Sequence, residues 1–88
     1  MAAAAVIVLG FIFRISSYEW IVLVIMIMSV MTTEAMNTAI EKLCNHVNPG
    51  IHPDIRIIKD LSAGAVLLAS VASIIVAAII FIPKFISL

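Results

Sequence analysis

The sequence predicts an all-α integral membrane protein with three transmembrane helices, the first of them short or truncated. Three observations carry that expectation. Of 88 residues, 65% are hydrophobic and only 11% charged, whereas ordinary soluble domains carry about a quarter charged residues. The mean hydropathy is +1.30, and so short a chain buries too small a fraction of its surface to hide these side chains in a core of its own. The apolar residues also come in long runs, parted by RISSYE at 14–19 and by a polar region around the turn VNPGIHPD at 47–54. Lipid is the solvent that suits such a pattern.

The first run, Met1 to Phe13, holds about 13 apolar residues where about 20 are needed to cross the hydrocarbon. It has neither the basic start nor the polar stretch after a cleavage site that mark a signal peptide. It reads as the second half of a membrane helix, with more chain expected upstream. Arg14 to Glu19 then turns the chain back, and Tyr18 and Trp20 supply the amphipathic rings found at a membrane interface.

The second helix is predicted from about residue 18 to 46, apolar from Trp20 to Met31 and free of Gly and Pro throughout. At about 1.5 Å per residue it is long enough to span the bilayer and emerge. VNPGIHPD holds two prolines and a glycine and reads as a turn, with Asp54 as the expected N-cap of the third helix. That helix is predicted over 55–83, with Arg56, Lys59 and Asp60 in its first turns, an uncharged run from Leu61 to Ile82, and Pro83 with Lys84 ending it at the far interface. One membrane domain, residues 1–88, accounts for the whole chain.

Five basic and five acidic residues leave no net charge, and no basic stripe exists to neutralise a phosphate backbone, so nucleic acid is excluded as a partner. Lys42, Arg56 and Lys59 flank the second turn against Arg14 and Lys84 at the other surface, which favours a cytoplasmic turn. Cys44 excludes an internal disulfide and reads as a reduced thiol.

Chemistry concentrates in TTEAMNTAIEKL, at 32–43. With about 100° between successive helical residues, Asn37 lies at about 300° from Glu34, Glu41 at about 340° and Asn45 at about 20°, while Thr38 at about 40° widens the stripe. Two readings stand side by side. A helix leaving the bilayer must become polar somewhere, and Asn37 and Thr38 are ordinary interhelical glue; ionisable groups at membrane depth are also functional candidates by default. Across the turn, KDLSAGAVLLAS places Lys59 and Asp60 before the small residues Ser62, Ala63 and Gly64, and close packing at Ala63 and Gly64 is expected to bring Lys59 and Asp60 toward the stripe. Such a pocket suits phosphoryl transfer to a lipid alcohol: carboxylates for Mg²⁺, an ammonium for phosphate oxygens, and a separate carboxylate to accept a hydroxyl proton.

With EAMNTAIE (Glu34, Asn37, Glu41) followed by an HP-containing turn and IKDLSAGAVLL, the sequence resembles the small bacterial integral-membrane lipid kinases, the prokaryotic diacylglycerol kinase and undecaprenol kinase family. The likeness runs from the first residues to Lys84, and GFIF and EW look like the undecaprenol kinase branch. It implies a multi-pass homotrimer in the bacterial inner membrane, transferring the γ-phosphate of ATP, with Mg²⁺ as cofactor, to undecaprenol or diacylglycerol at sites between subunits facing the cytoplasm. It further implies that Glu34 is the general base and Asn37 positions substrate. Glu41 then binds metal and nucleotide, Asn45, His52, Lys59 and Asp60 contact the nucleotide, and Glu34 and Ala63 meet the lipid substrate. The family usually has an aspartate where Asn45 stands, and it usually begins with an amphipathic surface helix bearing a second metal-binding carboxylate. A catalytically inactive oligomer of the same fold is the alternative, followed by a small proton- or cation-translocating subunit.

Overall fold

A computed structural model describes residues 2–48, 50 and 52–87; Met1, Pro49, Ile51 and Leu88 lie outside the described residues, so part of the 47–54 turn goes without a structural account. Three helices occur in order: α1 over Ala2–Ile12, α2 over Ser17–Val47 and α3 over Pro53–Ile86. No strand occurs among the described residues. α2 and α3 lie side by side along an elongated body measuring 54 × 19 × 17 Å. The long dimension matches a helix of 34 residues at about 1.5 Å each.

Both α2 and α3 are long and apolar enough to cross a membrane, and α1 is a shorter apolar helix. Its 11 residues span only about 17 Å, short of the bilayer core of about 30 Å. The alanines at 2–5 favour helix intrinsically.

α1 ends in a Schellman motif. The Ile15 N–H donates to the Gly10 carbonyl at 3.2 Å and the Arg14 N–H to the Phe11 carbonyl at 3.3 Å. This closure requires a left-handed residue at the position usually given to glycine, and Arg14 fills it with φ of 51°. Ile15 then folds back, 6% exposed, over Gly10. A capping box opens α2: Ser16 Oγ accepts from the Glu19 N–H at 3.2 Å, and Glu19 Oε1 accepts from the Ser16 N–H at 3.0 Å, satisfying two donors that the first turn leaves without partners.

Around this first turn gathers the main hydrophobic cluster. Ile15, Leu23, Ile80 and Phe81 are buried, with Val6, Leu9, Phe13, Trp20 and Val76 packed on them. Phe13 sits between Phe81 and Phe85, ring centroids 6.1 and 4.9 Å away. Lys84 clasps the same end, its Nζ donating to Glu19 Oε2 at 2.6 Å and to the Ile80 carbonyl at 3.2 Å. Elsewhere apolar side chains face outward, among them Val24, Ile25, Leu67, Leu68, Ile74 and Ile79. The accessible surface is 6439 Å², against about 5,000 Å² for a compact soluble chain of this mass. The excess is apolar helix surface that needs lipid or another helix against it.

Two helix boundaries differ from expectation. α3 starts at Pro53, and His52 rather than Asp54 is its N-cap, Nδ1 accepting from the Asp54 N–H at 3.2 Å. Proline explains the shift: its fixed φ suits the first helical position and holds the preceding residue extended, as His52 is with φ −136° and ψ 128°. Asp54 remains in the first turn, where the helix dipole favours its charge. At the other end α3 continues through Pro83 to Ile86. Proline lacks the donor to the carbonyl one turn back and its ring crowds that carbonyl, a local cost in the last turn of the helix, and the chain recloses beyond it through the Ser87 N–H to the Pro83 carbonyl at 3.2 Å.

Candidate active site

Below the apolar half of α2, polar side chains bridge to α3. Ser62 Oγ donates to Asn37 Oδ1 at 2.6 Å, and Asn37 Nδ2 donates in turn to Glu41 Oε1 at 3.3 Å. One turn further on, Lys59 Nζ donates to Asn45 Oδ1 at 2.5 Å. Thr38 spends its hydroxyl on the Glu34 carbonyl at 3.0 Å, a local bond within α2. Asn37, Lys59 and Ser62 are half-buried, while Glu34, Glu41 and Asn45 are exposed.

Helical geometry explains that division. The residues of α2 that are covered here are Thr33, Asn37, Ile40 and Cys44, a face centred at about 270° on the scale that sets Glu34 to zero. Glu34, Glu41 and Asn45 therefore flank the helix contact, and only Asn37 lies within it. Covered positions on α3 recur as Ile55, Lys59, Ser62, Val66, Ala69 and Ser73, the spacing of three and four of a helix seam. Asp60 and Gly64 lie about 140° and 180° from Ile55 and so face away from α2.

The expected single pocket is thereby divided. Ala63 is exposed and a Cβ on Gly64 would meet nothing within 4 Å, so Ser62 and Lys59, not Ala63 and Gly64, make the close approach to α2. Asp60 joins Lys59, His52, Arg56, Ile55 and Gly50 around a hollow of about 330 Å³ beside the turn. It also borders an open apolar groove of about 560 Å³ with Ile57, Leu61, Gly64, Ala65, Leu67 and Leu68. His52 lines the first hollow while its Nδ1 caps α3. Glu34 keeps its carboxylate free of hydrogen bonds among the described residues, one turn nearer the apolar run than Asn37.

Ser62 is the residue whose role the sequence concealed. As one of three small residues it reads as a packing position, whereas its hydroxyl is the donor that holds Asn37. Its spacing of three from Lys59 on the covered face was the available signal.

Glu41 is the sole carboxylate in the bonded cluster, and no three His, Cys, Asp or Glu side chains converge among the described residues. This donor set still suits Mg²⁺, which commonly takes one or two protein carboxylates and completes its shell with substrate phosphates and water. Glu41 is exposed, and only its Oε1 is engaged.

Two helices long and apolar enough to cross a membrane, with a cluster of bonded polar side chains near the turn between them, are the arrangement of a small helical membrane protein. Residues 1–81 match the family model for prokaryotic diacylglycerol kinase, and the chain belongs to that family of lipid kinases. The undecaprenol kinase of Bacillus subtilis is 37% identical over 83 residues, covering 94% of this chain and 68% of the relative. A diacylglycerol kinase of Synechocystis sp. is 42% identical over 60 residues, 67% of this chain and 34% of the relative. No solved structure matches the chain significantly.

Proposed function

We infer that this chain phosphorylates a membrane lipid alcohol with ATP as donor and Mg²⁺ as cofactor. The site faces the cytoplasm in a bacterial inner-membrane homotrimer of subunits that each cross the bilayer three times, α1 forming part of the first span. The observation that carries this reading is the chain of hydrogen bonds Ser62–Asn37–Glu41, with Lys59 bonded to Asn45 beside it, in a member of a lipid kinase family. Undecaprenol is favoured over diacylglycerol as acceptor, because the undecaprenol kinase matches 94% of the chain and the diacylglycerol kinase 67%.

Each residue has a distinct task. Glu34, the acid nearest the apolar run, accepts the proton of the lipid hydroxyl as that oxygen bonds to the γ-phosphorus and the bond to the ADP oxygen breaks. Asn37 is a positioning residue, with its carbonyl held by Ser62 and its amide holding Glu41. Glu41 would hold the Mg²⁺, which when bound neutralises phosphate charge. Lys59, steadied by Asn45, presents an ammonium to phosphate oxygens. Asp60 faces away from the Glu34 stripe and meets the nucleotide from the hollow that it lines with His52 and Lys59 beside the turn, and Ala63 borders the lipid.

The test is transfer of labelled γ-phosphate by the purified chain in detergent micelles, with undecaprenol and diacylglycerol supplied separately. Label in the lipid fraction, greater with undecaprenol, is expected. ATP hydrolysis without lipid labelling would refute the reading.

A further inference from the structure

Arg56 has no task in the mechanism above, yet it lines the hollow beside the turn together with His52 and Lys59. We propose that Arg56 is a nucleotide-binding residue whose guanidinium grips the phosphate chain of the donor in this hollow. The inference rests on the kinase reading and deepens it.

His52, Arg56 and Lys59 succeed one another at spacings of four and three, which places them on neighbouring turns of one flank of α3. The α3 seam faces α2 through Ile55 and Ser62, so Arg56, about 100° from Ile55, lies beside the helix contact and not within it. It is exposed, and its side chain makes no hydrogen bond or ion pair among the described residues. Lys59, by contrast, is half-buried and bonded to Asn45. One cation is therefore fixed against α2 while the other stands uncommitted at the mouth of the same hollow.

The chemistry of the lining agrees with that placement. His52 Nδ1 accepts the Asp54 N–H, so in the neutral ring the proton resides on Nε2, which is a donor. The hollow thus offers an imidazole N–H, an ammonium and a guanidinium, with Asp60 as its one acid. Its volume of about 330 Å³ falls at the small end of ligand sites and suits a phosphate chain rather than a whole nucleotide. Arginine adds what Lys59 lacks, a planar fork that holds two phosphate oxygens at once. An anionic lipid headgroup presents the same phosphate chemistry. Recognition of that kind, however, is read from clusters of four or more basic residues beside the membrane, and this turn has three, at Lys42, Arg56 and Lys59.

The test measures MgATP binding to the full chain in zwitterionic micelles, with and without added anionic lipid, for the natural protein, Arg56→Ala and Arg56→Lys. Arg56→Ala is expected to weaken binding about 10-fold, the low end for charge-assisted hydrogen bonds, equally in both micelles, and Arg56→Lys to recover only part of the loss. Unchanged helical circular dichroism and an unchanged denaturation midpoint show that the fold is kept. Equal affinity for the natural protein and Arg56→Ala would overturn the proposal, as would a loss confined to micelles containing anionic lipid. If the natural chain binds no MgATP, the kinase reading and the role of Arg56 fall together. If it binds MgATP in an Arg56-dependent way but labels no lipid, the kinase reading alone falls.

Discussion

Gly10 faces the indole of Trp20 so closely that its lack of a side chain is a packing requirement. A Cβ built there lies 2.6 Å from Trp20 Cη2, 2.9 Å from Cζ2 and 3.2 Å from Ile15 Cδ1. Comfortable carbon contacts begin at about 3.5 Å, so the ring must move by about 1 Å. It has little room, because the Phe11 ring is centred 4.9 Å from it and Ile15 belongs to the buried cluster. Overpacking of this kind costs about 1–3 kcal/mol, and alanine in a helix returns about 1 kcal/mol relative to glycine. Gly10→Ala is therefore expected to destabilise the fold by about 1 kcal/mol. Gly64→Ala is the matched control: its methyl meets nothing within 4 Å, so only the helical gain of about 1 kcal/mol remains. Denaturant titration in micelles, followed by emission of the single tryptophan, reads both stability and the affected contact. Equal stabilisation by the two substitutions would refute the packing argument.

Three more contacts lead to measurable outcomes. Ser62→Ala removes the donor that holds Asn37 and should lower the rate of lipid phosphorylation about 10-fold, the effect of one lost hydrogen bond at about 1.4 kcal/mol, with the thermal midpoint lowered by a few degrees because the same bond joins α2 to α3; the two are measured on the same preparation. Glu19→Gln, Lys84→Met and their double variant should each destabilise by about 1 kcal/mol, with the double no worse than either single, because both partners of this pair are still about a quarter exposed and such pairs are modest. Arg14→Gly relieves a left-handed residue and should stabilise by up to about 1 kcal/mol in the same denaturant titration.

The helices were legible because lipid imposes a simple rule: long uncharged runs must close their backbone hydrogen bonds internally. Pro53 and Pro83 show where the rule runs out, since proline stands equally well just inside a helix start or near its end, and only the reclosure of the chain decides which. In the site, the period of α2 identified Asn37, Glu41 and Asn45 as neighbours, and Asn37 bonds Glu41 as that period allows. Which stripe meets α3 depends on the rotation of each helix about its own axis, and a short turn does not fix that rotation. Asp60 and Gly64 consequently face away from α2, and Ser62, read as a packing residue, supplies the interhelical bond. The αL conformation of Arg14 had no signal at all, because its position normally takes glycine.

The most direct test of the central claim compares the natural chain with Glu34→Gln for transfer of labelled phosphate from MgATP to undecaprenol. Loss of a general base lowers such rates about 100-fold or more, and that loss is expected here with MgATP binding unchanged. Transfer by Glu34→Gln at the full natural rate would contradict the role of Glu34 as the base.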